Sequence, residues 1–399
     1  MIQLFNKTHS KISNIIVAFN AGSRMERKGD FNSGISHMLE HCIFKGTDKR
    51  SALQIQKEVS MMGGHINAFT SHEEVVYYIE LPYDNLEKGM ELISDIVLNS
   101  NIDDDEFKKE KSVVIEEEAS SYDDVDGIMY REFSKNFYTN YLRNPVIGTK
   151  ESIEKFTADE VRSFYKKHCD NRQIVVSVSS NCTKKYANSL MRKYFGKPNG
   201  KIKKSYKFKN NEKYSSLGDM ITVEKPGIEH SYVWMAFPGL TQSSSGRPAM
   251  SIMSSILGGG MDSRLFNEVR EKRGLAYSIY CTDIQFQTAG VFKVCFSCNN
   301  ENVDEVIEIV RQEIGKIVSG DITESEIQRA KSVKRTAYYR TLESGFSMAM
   351  LNINNKVFGA LSVDEYDKQL QEATLEDIEK CAKNIFSEAP FIIVCRGDQ

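Results

Sequence analysis

The chain has 399 residues, of which 40% are hydrophobic and 27% charged, with a formal net charge of -3. It is long enough for two ordinary domains, each with its own core, and it carries no global bias toward nucleic acid or anionic membrane. No apolar run approaches the roughly 18 residues of a membrane span, and the opening Met1–Lys7 has no apolar signal core, so a cytoplasmic location is expected.

In chain order, Ile12 to Asn20 is rich in β-branched residues and is predicted to form a buried strand. A polar loop leads to Gly34–Thr47, which contains His37, Glu40 and His41 in an H-x-x-E-H arrangement. On a helix, residues at i, i+3 and i+4 share one face, so both imidazoles and the carboxylate project to the same side. That geometry suits Zn²⁺, which takes imidazole nitrogen and in hydrolases keeps a position open for water. Glu40 stands beside such a metal and can take the proton from that water. Ile35, Met38, Leu39, Ile43 and Phe44 give the helix a buried flank.

A second helix is predicted from Ala52 to Met62, stopped by Gly63-Gly64. His65–Ser71 and Glu74–Leu81 then alternate as strands. Asp84 is expected to cap a helix carrying Leu86, Met90, Ile93 and Val97. The next helix, from about Asp104 to Ser121, places Glu110 and Glu117 seven residues apart and so on one face. A carboxylate from this helix is the expected third ligand of a His₂Glu site. By itself, a charged helix face is usually only solvated.

A strand at Gln173–Ser179 closes the first half, and the Lys-, Asn- and Gly-rich stretch that follows is expected to be a basic linker, 201–216. The second half repeats the plan: strands near 219–223, 232–237 and 290–297, helices near 302–319, 323–342 and 375–386, and a last strand near 391–394. The repetition implies a duplicated α+β unit of about 200 residues, divided as 1–200 and 217–399. Only the first copy has the H-x-x-E-H. The eight scattered cysteines do not suggest a disulfide framework. Cys295 and Cys298 fall in an alternating strand and should point to opposite faces rather than form a zinc knuckle.

With these residues in view, the sequence resembles the pitrilysin and insulin-degrading-enzyme family of inverzincin zinc metallopeptidases. It is most similar to the mitochondrial processing peptidase-like group and its short bacterial relatives. Four stretches carry the resemblance: GISHMLEHCIFKGT, EKSVVIEE, GGHINAFTSHEEVVYY and LGGGMDSRLFNEVREKRGLAYS. The resemblance implies two homologous domains, each an antiparallel β-sheet with helices packed on one side, the second domain inactive. It implies one zinc per chain held by His37, His41 and Glu117, with Glu40 as general base and Glu110 as the acidic residue that supports the site. It implies that substrate peptide lies along Asn67, Ala68 and Phe69, and that Arg270 and Tyr277 reach the scissile bond from an opposing wall. It also implies a clamshell chamber of four domains. With two domains per chain, a homodimer is expected, each active site completed by the opposing subunit. The function so implied is endoproteolysis of unfolded peptides or leader segments, without a nucleic-acid or membrane partner. Two other readings use the same fold: a non-catalytic scaffold or partner subunit, and a module that captures peptides without cutting them.

Overall fold

The computed structural model describes residues 1–26, 31–169, 174–198 and 213–397. Most of the expected linker, 201–216, therefore lies outside the described residues, as does Gln173 at the start of one predicted strand. The elements run β1 (Ile2–Lys7), β2 (Ile12–Phe19), α1 (Ile35–Ile43), α2 (Ala52–Met61), β3 (His65–Thr70), β4 (Val75–Pro82), α3 (Leu86–Leu98), α4 (Asp104–Ser120) and α5 (Val125–Phe137). Then come α6 (Lys150–Glu154), α7 (Ala158–His168), β5 (Ile174–Ser180), α8 (Lys184–Phe195), β6 (Met220–Glu224), β7 (Ser231–Pro238), α9 (Arg247–Gly258), β8 (Ala276–Gln285) and β9 (Gly290–Cys298). The chain ends with α10 (Val303–Val318), α11 (Glu324–Glu343), α12 (Gly345–Phe358), α13 (Val363–Glu372), α14 (Leu375–Ile385) and β10 (Phe391–Arg396).

Two compact units form, and neither is one continuous stretch. The first contains β1–β5 and also takes α12, from Thr341–Phe358. The second contains β6–β10 and also takes α5, from Asp124–Arg143. Each has one five-stranded sheet, ordered β1-β5-β2-β4-β3 in the first and β6-β10-β7-β9-β8 in the second. Numbered within its own unit, each sheet has the same order, first-fifth-second-fourth-third. The duplication read from the sequence is therefore present at the level of topology.

Each sheet is antiparallel except for one pair. β5 inserts between β1 and β2, running parallel to β1, and β10 inserts in the same way between β6 and β7. β1 is an addition to the sequence reading. Its residues IQLFNK are only half-buried, so they lack the alternation that marks β3 and β4. Helices also cover both faces of each sheet rather than one. In the first unit Ile16, Ala18, Val76 and Val175 pack under Ala349, Ile353, Val357 and Phe358 of α12. In the second, Trp234, Ala236 and Cys295 pack under Met129, Phe133 and Phe137 of α5. Cys298 belongs to the core on the other face of that sheet, as strand alternation requires. All eight cysteines are thiols. No helix among the described residues is long and apolar enough to cross a membrane.

Local chemistry fixes the elements around the site. α1 follows Gly34 at φ 93°, where a side chain would also meet the Ile147 carbonyl oxygen at 2.4 Å. Ser51 and Gln54 form a reciprocal capping box at the start of α2. Asp103 accepts from the Asp105 and Glu106 amides to start α4, whose first turn is acidic and so suits the helix dipole. Asp84 does not cap α3. It lies in a 3₁₀ turn, Tyr83–Asn85, and Asn85 holds the cap position.

Candidate metal centre

α1 presents His37, Glu40 and His41 on one side, and α4 brings Glu117 and Glu110 against them. Glu117 Oε2 lies 3.2 Å from His37 Nε2 and 3.3 Å from His41 Nε2. One ligand atom from each of His37, His41 and Glu117 falls within 4.8 Å of the others. The second ring nitrogens are also engaged. His41 Nδ1 is 3.1 Å from Glu110 Oε2, and His37 Nδ1 is 3.4 Å from Glu40 Oε2. Glu110 is buried, and its other oxygen is 2.6 Å from Lys45 Nζ.

Electrostatics match this arrangement. Burial works against the His37 imidazolium, but hydrogen bonds to Glu117 and Glu40 outweigh it and place its pKa at about 9. Hydrogen bonds from His37 and His41 hold Glu117 far below the usual carboxylate range. An anionic carboxylate between two imidazoles is a place where a divalent cation competes with protons for the same lone pairs. The donor set, two imidazole nitrogens and one carboxylate oxygen, is the set zinc takes in hydrolytic sites. The residues present therefore fit a zinc ion.

The site has a polar frame that the sequence did not reveal. Thr70, the last residue of β3, donates its hydroxyl to Glu40 Oε2 at 2.5 Å. Glu26, fully buried, accepts from the Gly34 amide at 3.0 Å and the Ser36 amide at 2.9 Å, holding the start of α1. Burial raises the Glu26 pKa to about 7 against the opposing effect of those hydrogen bonds. β-strand alternation puts Thr70 on the face of Ala68, opposite Phe69, but only tertiary structure shows that this face meets α1.

Among the described residues β3 is the edge of its sheet, paired with β4, and carries Asn67, Ala68 and Phe69. Asn67 is exposed, and its side chain accepts from the Ala68 amide at 2.8 Å. In the second unit, Arg270 sits on a π-helical turn, Phe266–Glu271, and donates to the Tyr277 carbonyl at 2.9 Å. Its guanidinium also lies over the Phe266 and Tyr277 rings, 4.9 and 5.6 Å from their centroids. Tyr277, beside a β-bulge, is 77% exposed, so its ring and hydroxyl are open to a ligand.

Residues 2–150 match the family model for insulinase, peptidase family M16, and residues 155–334 match that for the peptidase M16 inactive domain. A protein of Streptomyces coelicolor named as an uncharacterized zinc protease is 32% identical over 91% of this chain and 80% of its own length. The chain belongs to the M16 peptidase family. A second relative, named the uncharacterized zinc protease YmxG, from Bacillus subtilis, is 30% identical over 93% of this chain and 90% of its own. Among solved structures, a protease from Helicobacter pylori superposes with a TM-score of 0.89 at 25% identity, covering 99% of this chain and 96% of that one. A Pseudomonas fluorescens structure described as a peptidase M16 inactive domain superposes with a TM-score of 0.87 at 18% identity, over 100% of this chain and 96% of that one, and shows the shared fold.

Proposed function

We propose that this chain is a zinc-dependent endopeptidase acting on extended, unfolded peptides or leader segments. The observation that carries the reading is the convergence of His37, His41 and Glu117 from two helices, with Glu40 on the same face of α1. Those three residues would hold one zinc per chain. Bound there, zinc supplies a Lewis acid and lowers the pKa of its water toward about 7. Glu40 accepts the proton of the attacking water and returns it to the leaving amine. Glu110 orients His41 through Nδ1 and is itself anchored by Lys45.

Peptide binding falls to the free edge of β3. Main-chain hydrogen bonds along Asn67–Phe69 would add the substrate as a further strand, a mode tolerant of sequence but demanding an extended segment. Arg270 and Tyr277 offer donors for substrate carbonyls or a developing oxyanion. Two copies form the working chamber in this reading, each metal site receiving Arg270 and Tyr277 from the other copy.

The relatives named as zinc proteases support hydrolysis over the scaffold and peptide-capture readings. The presence of His37, Glu40, His41 and Glu117 together with Arg270 and Tyr277 in one chain supports it as well. Chelation should abolish cleavage of an unfolded peptide of a few tens of residues, and Zn²⁺ should restore it. A chelated, metal-free protein that cleaves at full rate contradicts the proposal.

A further inference from the structure

We propose that Thr70 is a positioning residue for the general base, so that the strand receiving the peptide also fixes the carboxylate that acts on it. The inference rests on the assignment of Glu40 as base. Glu40 Oε2 meets the Thr70 hydroxyl at 2.5 Å and His37 Nδ1 at 3.4 Å. The hydroxyl is the nearer, and it is the one set outside α1. Without it, the carboxylate is left to His37 and can turn along its own helix, away from the edge of β3.

The donor is rigidly placed. The turn after β3 closes with the Ser71 amide on the Glu74 carbonyl at 2.8 Å. The segment leading to α1 is bonded to that turn, Ser23 amide to Ser71 carbonyl at 3.1 Å and Arg24 amide to His72 carbonyl at 2.9 Å. Buried side chains repeat the tie: Ser23 Oγ meets His72 Nδ1 at 2.9 Å, and Arg24 Nη1 meets Glu73 Oε1 at 2.7 Å. Two residues on, Glu26 grips the first turn of α1. Backbone approach is so close at Gly22 that an added Cβ would lie 2.4 Å from the Glu74 amide nitrogen. The end of β3 and the start of α1 are thus fastened twice, once through this clamp and once through Thr70–Glu40. Strand and base move together, and a peptide paired with β3 meets a carboxylate already in register.

The test compares T70V, which keeps the shape and removes the donor, with T70S, which keeps the donor. With a quenched unfolded peptide, T70V should lower kcat about tenfold or more while KM stays within about twofold, and T70S should recover most of the loss. Metal content should be the same in all three proteins. Wild-type kcat in T70V, or an equal loss in T70S, overturns the proposal. If T70V does not fold, T70A replaces it, with the same outcomes. Crystal structures of zinc-loaded wild type and T70V give a reading independent of turnover. Glu40 should occupy one conformer on Thr70 in wild type and leave it in T70V; an unmoved Glu40 in T70V overturns the role. Should the wild type cleave nothing, it is the peptidase reading that fails, and the crystals alone decide on Thr70.

Discussion

His41 Nδ1 lies 3.1 Å from Glu110 Oε2, and the other oxygen of that buried carboxylate lies 2.6 Å from Lys45 Nζ. The chain Lys45–Glu110–His41 fixes the ring of one proposed ligand from behind, leaving Nε2 to face Glu117. A carboxylate partner of this kind sets the tautomer and the basicity of a metal-bound imidazole. E110Q should therefore weaken zinc affinity by about 10- to 100-fold with little change in fold, measured by competition with a chromogenic chelator. Unchanged affinity would reduce Glu110 to a buried ion-pair partner of Lys45.

Glu26 supports the same helix from its other end. Removing its carboxylate leaves the Gly34 and Ser36 amides buried without an acceptor, because among the described residues α1 has no side-chain cap of its own. E26A should lower stability by about 1–3 kcal/mol in urea unfolding, and zinc should restore part of it. A stability equal to wild type would mean that the helix start finds another partner.

Glu74 gives a pH signature. Burial, and then the neighbouring Glu73, push its pKa up from 4.5 to about 8, and among the described residues its Oε2 has no hydrogen-bond partner. A carboxyl whose folded pKa is raised stabilises fully below its unfolded value and loses that contribution as pH rises toward the folded value. This contribution is lost between about pH 5 and pH 8, so the stability of E74Q relative to wild type should rise across that range, with a higher melting midpoint for E74Q at pH 8. His72 has the opposite sign. Burial, with Arg24 beside it, lowers its pKa to about 3, so its contribution is present above pH 6.5 and is lost as pH falls from there. E74Q should leave this acid limb unchanged. A wild-type slope that persists in E74Q would contradict the placement of Glu74.

The shared-site proposal predicts complementation. Homodimers of E40Q and of Y277F should each be inactive or nearly so. Co-expressed with different tags, they form mixed dimers in which the Y277F chain supplies an intact metal set and the E40Q chain an intact Tyr277. Half of the dimers are mixed and one of their two sites is whole, so about a quarter of wild-type activity should return. Mixed dimers without activity would show that Tyr277 does not serve the metal site of the other copy.

The sequence disclosed what depends on local spacing and little that depends on which surfaces meet. His37, Glu40 and His41 were legible because helical periodicity alone puts them on one side of α1, and Glu110 and Glu117 because seven residues nearly complete two turns. Thr70 was not legible, since its partner lies 30 residues earlier on another element. The exchange of α5 and α12 between units was hidden for the same reason. Their apolar residues announce buried faces, but nothing in linear order says that Ala349 and Ile353 lie over Ile16 and Ala18. The basic composition near 201–216 marked a break in periodicity, whereas the units themselves are assembled from discontinuous segments.

The most direct test of the central claim measures zinc content and peptide turnover together in wild type and E40Q. Both proteins should hold one zinc per chain, and only the wild type should hydrolyse the peptide. Full turnover by zinc-loaded E40Q, or a wild type that cleaves peptides while holding no metal, would contradict it.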